Sequence, residues 1–377
     1  MIKVGFILSF CFFTFFIGAA KAQPLPSKRV VLEYMSLANN YFIKKWPDPT
    51  TPIIVKKEWP SNIWTRAVYF EGLMAFYKIK PDTACYNYAV HWGEWHKWGI
   101  RGGVETRNAD NHCCGQTYID LYMIDKKTER INDIKASVDL MISSPTVDDW
   151  NWIDALQMAM PVYAKLGTLL HDKSYYDKMY QMYIYTKTQL GGSGLYNPKD
   201  KLWWRDKDFV APYTEPNGED CYWSRGNGWV VAALVRVLEA TPKNLPHRDE
   251  YRQTLIKMLN ALKEVQRPDG FWNVSLHDPS YLGGPEFTGT ALFTYGMAWA
   301  VNNNVVSKKK FLPVIEKAWN AISKESVHPN GFLGYVQGTG KQPSDGQPVD
   351  FGRHPDFEDF GLGCFLLAGS EVYKLSK

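Results

Sequence analysis

Cysteine is scarce in this 377-residue chain, with six in all and Cys11 inside an N-terminal apolar run. The other five, Cys85, Cys113, Cys114, Cys221 and Cys364, form an odd, sparse set. That excludes a disulfide framework as the basis of the fold. Charge of one sign is equally scarce: Lys plus Arg number 43 against 39 Asp plus Glu, a net +4 without long runs of either sign. No electrostatic footprint for nucleic acid results, and no nucleic-acid partner is expected. After the first 22 residues no apolar stretch is long enough to span a bilayer. Metal and nucleotide motifs are missing too. His112-Cys113-Cys114 lacks a second ligand pair, and adjacent helical residues point about 100° apart. His91 and His96 fall outside the zinc-protease spacing, and Gly338-Thr339-Gly340-Lys341 lacks the first glycine of a P-loop. No metal and no organic cofactor is expected.

Aromatic residues are what the chain has in excess: 15 Trp, 22 Tyr and 19 Phe, or 15% of all residues. Flat apolar rings with a polar edge suit a large helical core or the stacking of sugar rings. At the N-terminus, Lys3 precedes an uncharged Phe-rich run from Val4 to Ala20, closed by Ala20-Lys21-Ala22. A positive start, an apolar stretch and a small-x-small site predict a secretory signal peptide over 1–22. The mature chain, 23–377, is then expected outside the cytoplasm, periplasmic or secreted, with no membrane attachment.

Periodicity of 3.6 residues predicts about twelve helices and almost no strand alternation. The spans are 30–46, 64–79, 84–99, 112–125, 128–144, 152–170, 173–191, 226–242, 247–266, 288–306, 308–326 and 359–376. Two kinds alternate. One is amphipathic, as in Tyr251, Leu255, Met258, Leu259 and Leu262 beneath Arg252, Lys257 and Lys263. The other is apolar nearly all round and rich in small residues, as in Gly228-Trp229-Val230-Val231-Ala232-Ala233-Leu234. Six buried helices inside six half-exposed ones describe an all-α, single-domain (α/α)₆ barrel. A two-domain solenoid would need a Pro/Ser-rich linker, and none divides the chain. The long connections, 192–225, 267–287 and 327–358, all lead into buried helices, so a cleft is expected where those helices begin. Helix N-termini there favour an anionic ligand.

The residues at these helix starts are not those that core packing selects: Arg66, Asp110, Trp152 with Asp154, Trp223 with Arg225, and Thr288. Asp110 and Thr288 also read as helix caps. Asp154 sits within Trp150-Asn151-Trp152-Ile153-Asp154-Ala155-Leu156, where desolvation would raise its pKa and a second carboxylate would raise it further. A carboxylic acid so placed stays protonated and serves as a general acid.

Trp223-Ser224-Arg225-Gly226-Asn227-Gly228-Trp229, Trp152-Ile153-Asp154-Ala155 through Pro161, and Asn108-Ala109-Asp110 with Gly115 resemble the unsaturated glucuronyl and rhamnogalacturonyl hydrolases of glycoside hydrolase families 88 and 105. Asp269-Gly270-Phe271-Trp272 and Thr288-Gly289-Thr290 also look like that group, and the likeness is nearer to family 105. The resemblance spans the mature chain and implies an (α/α)₆ barrel. It implies removal of a 4,5-unsaturated uronic acid from lyase-generated oligosaccharides, unsaturated rhamnogalacturonan by default, by hydration of the C4=C5 enol ether. Asp154 would be the acid/base and Asp110 the second aspartate. Trp152, Trp223, Trp229 and Trp204 would shape or stack the sugar, and Arg225 and Arg66 would bind its carboxylate or hydroxyls. Where family 105 carries a His-Gly-Trp-Asp-like segment, this chain reads Leu202-Trp203-Trp204-Arg205-Asp206. That segment is expected away from the acid, at the leaving-group subsite. A polysaccharide lyase, an ordinary inverting glycosidase and a sugar-binding protein without catalysis are the rival readings.

Overall fold

A helix that is apolar on every side must be enclosed on every side, and six segments of this chain meet that condition. The computed structural model describes residues 23–377; the predicted signal peptide lies outside the described residues. Its helices are α1 Lys28–Lys45, α2 Trp64–Ile79, α3 Thr83–Trp95, α4 Ala109–His112, α5 Cys114–Asp125, α6 Asn132–Ser143, α7 Asp154–Leu170, α8 Lys173–Thr188, α9 Ser224–Ala240, α10 Arg248–Glu264, α11 Phe287–Asn302, α12 Lys308–Asn320 and α13 Asp359–Leu375. The apolar columns α2, α4–α5, α7, α9, α11 and α13 each touch the next, and α13 closes the ring on α2. The amphipathic helices form the outer layer, with α1 on α13, α8 on α7, α10 on α9 and α12 on α11. This is the expected (α/α)₆ barrel.

Composition explains the sorting. In α11 every residue from Phe287 to Val301 is buried, whereas in α10 only one stripe from Tyr251 to Leu262 is. Where α13 meets α2 the backbones approach so closely that only glycine fits. A Cβ on Gly72 would lie 2.5 Å from the Gly363 carbonyl oxygen, and one on Gly363 would lie 2.2 Å from that of Val68. Overpacking of this kind costs about 1–3 kcal/mol.

The twelve predicted spans match the observed helices apart from their ends, and the departures have local causes. The third helix stops at Trp95 because Lys97 and Trp98 adopt left-handed φ values of 52° and 59°. That turn folds the Trp98 ring onto Gly93, where any Cβ would be 2.1 Å away. The helix predicted from residue 112 begins at Ala109, because the Asn108 side chain accepts the Asp110 N–H at 2.8 Å and caps it there. It then breaks at Cys113 before α5 begins. The last turn after α12, Ala321–Glu325, widens to a π-helix.

Three antiparallel hairpins decorate the loops: β1 Ile53–Val55 with β2 Lys57–Trp59, β3 Tyr196–Asn197 with β4 Leu202–Trp203, and β5 Trp272–Asn273 with β6 Pro285–Glu286. Strands of two or three residues leave no readable alternation. They lie in the connections that lead into α2, α9 and α11, and single bridges fasten the loops to helix starts at Trp152–Asp206 and Trp223–Ser275. The long loops are thereby held over the barrel mouth where the inner helices begin. Among the described residues, no helix is long and apolar enough to cross a membrane, and all five cysteines are free and buried.

Candidate active site

Asp154 is the first residue of α7 and is 9% exposed. Just before it the chain runs antiparallel to residues 205–206: the Ile153 N–H donates to the Arg205 carbonyl at 2.9 Å, and Trp152 bridges Asp206. This pairing brings Arg205 onto the aspartate, with Nε 3.3 Å from Asp154 Oδ2. The other side of the guanidinium donates from Nη1 to Asp206 Oδ2 at 2.7 Å. Neither Arg205 Nε nor Asp154 Oδ2 has a hydrogen-bond partner, so their contact is an ion pair without a hydrogen bond. Arg205 is therefore at the acid and not remote from it, contrary to the expectation from the sequence. The reason is tertiary: a loop some fifty residues downstream pairs with the residues that precede α7.

Asp110 lies in the first turn of the neighbouring column, where α4 packs on α7. Its carboxyl is pushed up to about 7, by burial first and by the negative charge of Asp154 second, against Arg205 and Arg101. Burial also raises Asp154, and Arg205 and Arg225 oppose it. The effect of a second carboxylate, expected at Asp154, thus falls on Asp110. Burial raises both carboxyls, and the charge of Asp154 adds to the rise at Asp110. Asp110 is no cap, since Asn108 takes that role. Thr288 is no cap either: Glu286 accepts the N–H groups of Thr288 and Gly289 at 2.8 and 2.6 Å, and fully buried Thr288 donates its hydroxyl to the same carboxylate.

The other expected site residues divide. Trp152 is half-buried and stands two residues before Asp154, bridged to Asp206. Trp204 is 8% exposed, its ring 6.1 Å from that of Tyr222, and supports the loop that carries Arg205. Trp223 is buried and donates from Nε1 to Gln337 Oε1 at 2.9 Å, so it braces the cleft without presenting a stacking face. Trp229 is core, edge-on to Trp64 at 6.3 Å. Arg66 is 1% exposed; it pairs with Asp359 at 3.1 Å, donates to the Pro49 carbonyl at 3.1 Å, and lies over Trp46. It ties α2 to α13 and the 46–53 segment, which removes it from substrate binding.

Arg225 also serves the fold, contrary to the expectation that it binds the sugar. It is 1% exposed, stacks 4.5 Å over Trp223, and donates to the carbonyls of Gln337 and Gly338 at 2.7 and 2.8 Å. Both arms of its fork are used to clamp the 326–358 loop, although its charge still reaches Asp154. Arg225→Met should therefore cost about 2–4 kcal/mol of stability, since two buried carbonyls lose charged donors. Urea denaturation measures this; unchanged stability with a raised KM would return Arg225 to the substrate.

Two cations escaped the sequence reading. Arg205 was visible only as a departure from a family segment, and nothing local showed where its loop would fold. Arg101 opposes Asp110, lies 5.2 Å over the Trp59 ring of the β1–β2 hairpin, and donates to Asn111 Oδ1 at 3.3 Å. It belongs to an irregular loop with no motif. Among the described residues, no cluster of three or more His, Cys, Asp or Glu is arranged to hold a metal.

Known proteins resemble this chain in sequence and in fold. The sequence model of Glycosyl Hydrolase Family 88 matches residues 34–376. An unsaturated 3S-rhamnoglycuronyl hydrolase of Formosa agariphila is 31% identical over 338 residues, 83% of this chain and 85% of that protein. The structure of a glycosyl hydrolase family 88 protein from Bacteroides vulgatus superposes with a TM-score of 0.84 at 30% identity, covering 92% of this chain and 99% of that one. A structure described as polysaccharide lyase BACCELL_00875 gives 0.83 at 30% identity, covering 92% and 98%. A family 105 glycoside hydrolase of C. acetobutylicum, at 21% identity and a TM-score of 0.70 over 90% and 99%, shares the fold. The chain is an enzyme of the glycosidase class and belongs to glycosyl hydrolase family 88.

Proposed function

We propose that this enzyme removes a 4,5-unsaturated uronic acid from the non-reducing end of lyase-generated oligosaccharides, with rhamnose as the leaving sugar. The observation that carries this reading is the Asp110–Asp154 pair with Arg205 at 3.3 Å from Asp154. Buried carboxyls with raised pKa suit protonation of an electron-rich double bond. The proton goes to C4, and positive charge appears at C5, where the ring oxygen shares it. Water adds at C5 and gives up a proton to the Asp154 carboxylate. The resulting hemiketal opens to a C5 ketone, and the C1 hemiacetal left behind expels the neighbouring sugar. One water is consumed and one glycosidic bond is broken.

Asp154 acts as acid and base, while Asp110 stores the proton and meets ring hydroxyls. Arg205, whose Nε lacks a hydrogen-bond partner, takes the uronate carboxylate. That contact draws the arginine from Asp154 and lets the proton settle there, because Arg205 is the strongest group opposing protonation of Asp154. Trp152 lines the sugar. The chemistry requires neither metal nor organic cofactor. Export by residues 1–22, to the periplasm or the medium, belongs to the same reading and is supported by the Lys3-led apolar run.

The test follows the ultraviolet absorbance of the conjugated double bond on a panel of unsaturated disaccharides, with intact polymer alongside. Hydration removes the signal. The structural likeness to a protein described as a lyase favours one rival, and growth of the signal from intact polymer would establish it. Methyl-esterifying the unsaturated uronate should cost about 2–4 kcal/mol of transition-state stabilisation, read as kcat/KM, because one desolvated charged contact is lost. Exchanging rhamnose for another sugar should cost less. Equal rates for acid and ester would remove Arg205 from carboxylate recognition.

A further inference from the structure

One helical turn deeper than the two aspartates, a single side chain of α2 is bonded to the backbone columns that carry both of them. Glu71 is 1% exposed. Its Oε1 accepts from Cys113 Sγ at 3.2 Å, and its Oε2 accepts from Gln157 Nε2 at 2.7 Å. Cys113 follows Asp110 by three residues and Gln157 follows Asp154 by three, so each donor shares a helix face with one aspartate. The grip continues around the barrel. The Gln157 carbonyl accepts from Gln116 Nε2 at 2.7 Å, Gln116 Oε1 accepts from Arg236 Nε at 2.7 Å, and that Nε lies 3.7 Å from Glu71 Oε2. The circuit joins α2, α5, α7 and α9.

A second feature shows why such a tether is required. The column carrying Asp110 is broken at Cys113, between α4 and α5, and bonding there is of the shorter kind, from Cys113 N–H to the Asp110 carbonyl at 3.4 Å. The four residues of α4 are too few to fix themselves. We propose that Glu71 is a positioning residue that sets the separation of Asp110 and Asp154 by holding Cys113 and Gln157 at once. This rests on the reading of those two aspartates as the reacting pair. Glu71 touches no substrate in this scheme. Cys113 remains a thiol, and so a donor, because burial and the Glu71 charge push its pKa well up.

The experiment compares Cys113→Ala, which deletes the donor, with Cys113→Ser, which keeps one, and avoids the buried charge of Arg236 that Glu71→Gln would strand. The Ala variant should fold, lose roughly tenfold in kcat and keep KM within about twofold, since small misplacement of reacting groups acts on the chemical step. Its alkaline limb in kcat/KM should move to lower pH, because Asp154 then raises Asp110 from farther away. The Ser variant should recover both properties. Wild-type kcat and pH profile in Cys113→Ala would overturn the proposal, as would equal losses in Ala and Ser accompanied only by a lower Tm. Asp154→Asn in the same series separates the claims. If it keeps full activity, the reacting pair is misassigned and the positioning role falls with it. If it is inactive while Cys113→Ala matches wild type, only the positioning role fails.

Discussion

Asp154→Asn should yield a folded protein with less than about a hundredth of the wild-type kcat, the usual size of a general acid–base contribution. An amide neither delivers a proton to C4 nor accepts one from the attacking water. The fold should survive, for two reasons drawn from the site. Burial disfavours the ionised form of Asp154, so an uncharged isostere relieves that penalty. Arg205 meanwhile keeps Asp206 as a partner at 2.7 Å, so no buried charge is stranded. The rate of double-bond loss and the circular dichroism spectrum together check the prediction. A native spectrum with a tenth of the activity or more would mean that the proton comes from elsewhere.

Asp110→Asn should combine a loss of activity of roughly 10²-fold with a gain in stability at alkaline pH. Asp110 ionises at about 7 in the folded protein, against about 3.9 in an unfolded chain. Between these values the folded state holds a proton that the unfolded state has released. The contribution to stability is therefore fully present below about pH 4 and is lost as pH rises through about 7. Asparagine carries no such loss. The variant should unfold at a higher denaturant concentration than wild type at pH 8 and at a similar one at pH 4. Its activity should also lose the limb near pH 7. A stability difference that does not change with pH would refute the raised pKa of Asp110.

How far these residues could be reached without coordinates depended on the kind of signal each left. The Gly/Ala-rich all-round apolarity of α9 and α13 marked an inner ring, because such helices have no face to offer water. The same logic placed Asp110 and Asp154 at the mouth, since polar residues at the starts of buried helices must meet either solvent or each other. Asn108 and Glu286, the true caps, were hidden behind the more suggestive Asp110 and Thr288 next to them. Cap geometry depends on whether the chain before the helix is extended, and composition does not show that.

The arginines show the opposite limit. Arg66, Arg225 and Arg205 look alike as isolated residues near helix starts; Arg225 and Arg205 both keep an unpartnered Nε, but only that of Arg205 lies at ion-pair distance from a carboxylate. Arg66 is consumed by Asp359, almost three hundred residues away, and Arg225 by carbonyls of the loop before α13. A guanidinium's role is set by which acceptors saturate it, and those acceptors come from distant segments. The sequence alone thus determined the helical class and the sorting into two rings, because periodicity is a local property. Only the tertiary structure decided which cation lies against Asp154, that the Asp154 charge adds to the rise at Asp110, and that Glu71 joins their helices. Those outcomes depend on loop pairing, burial and charge separation, quantities that exist only once the ring has closed.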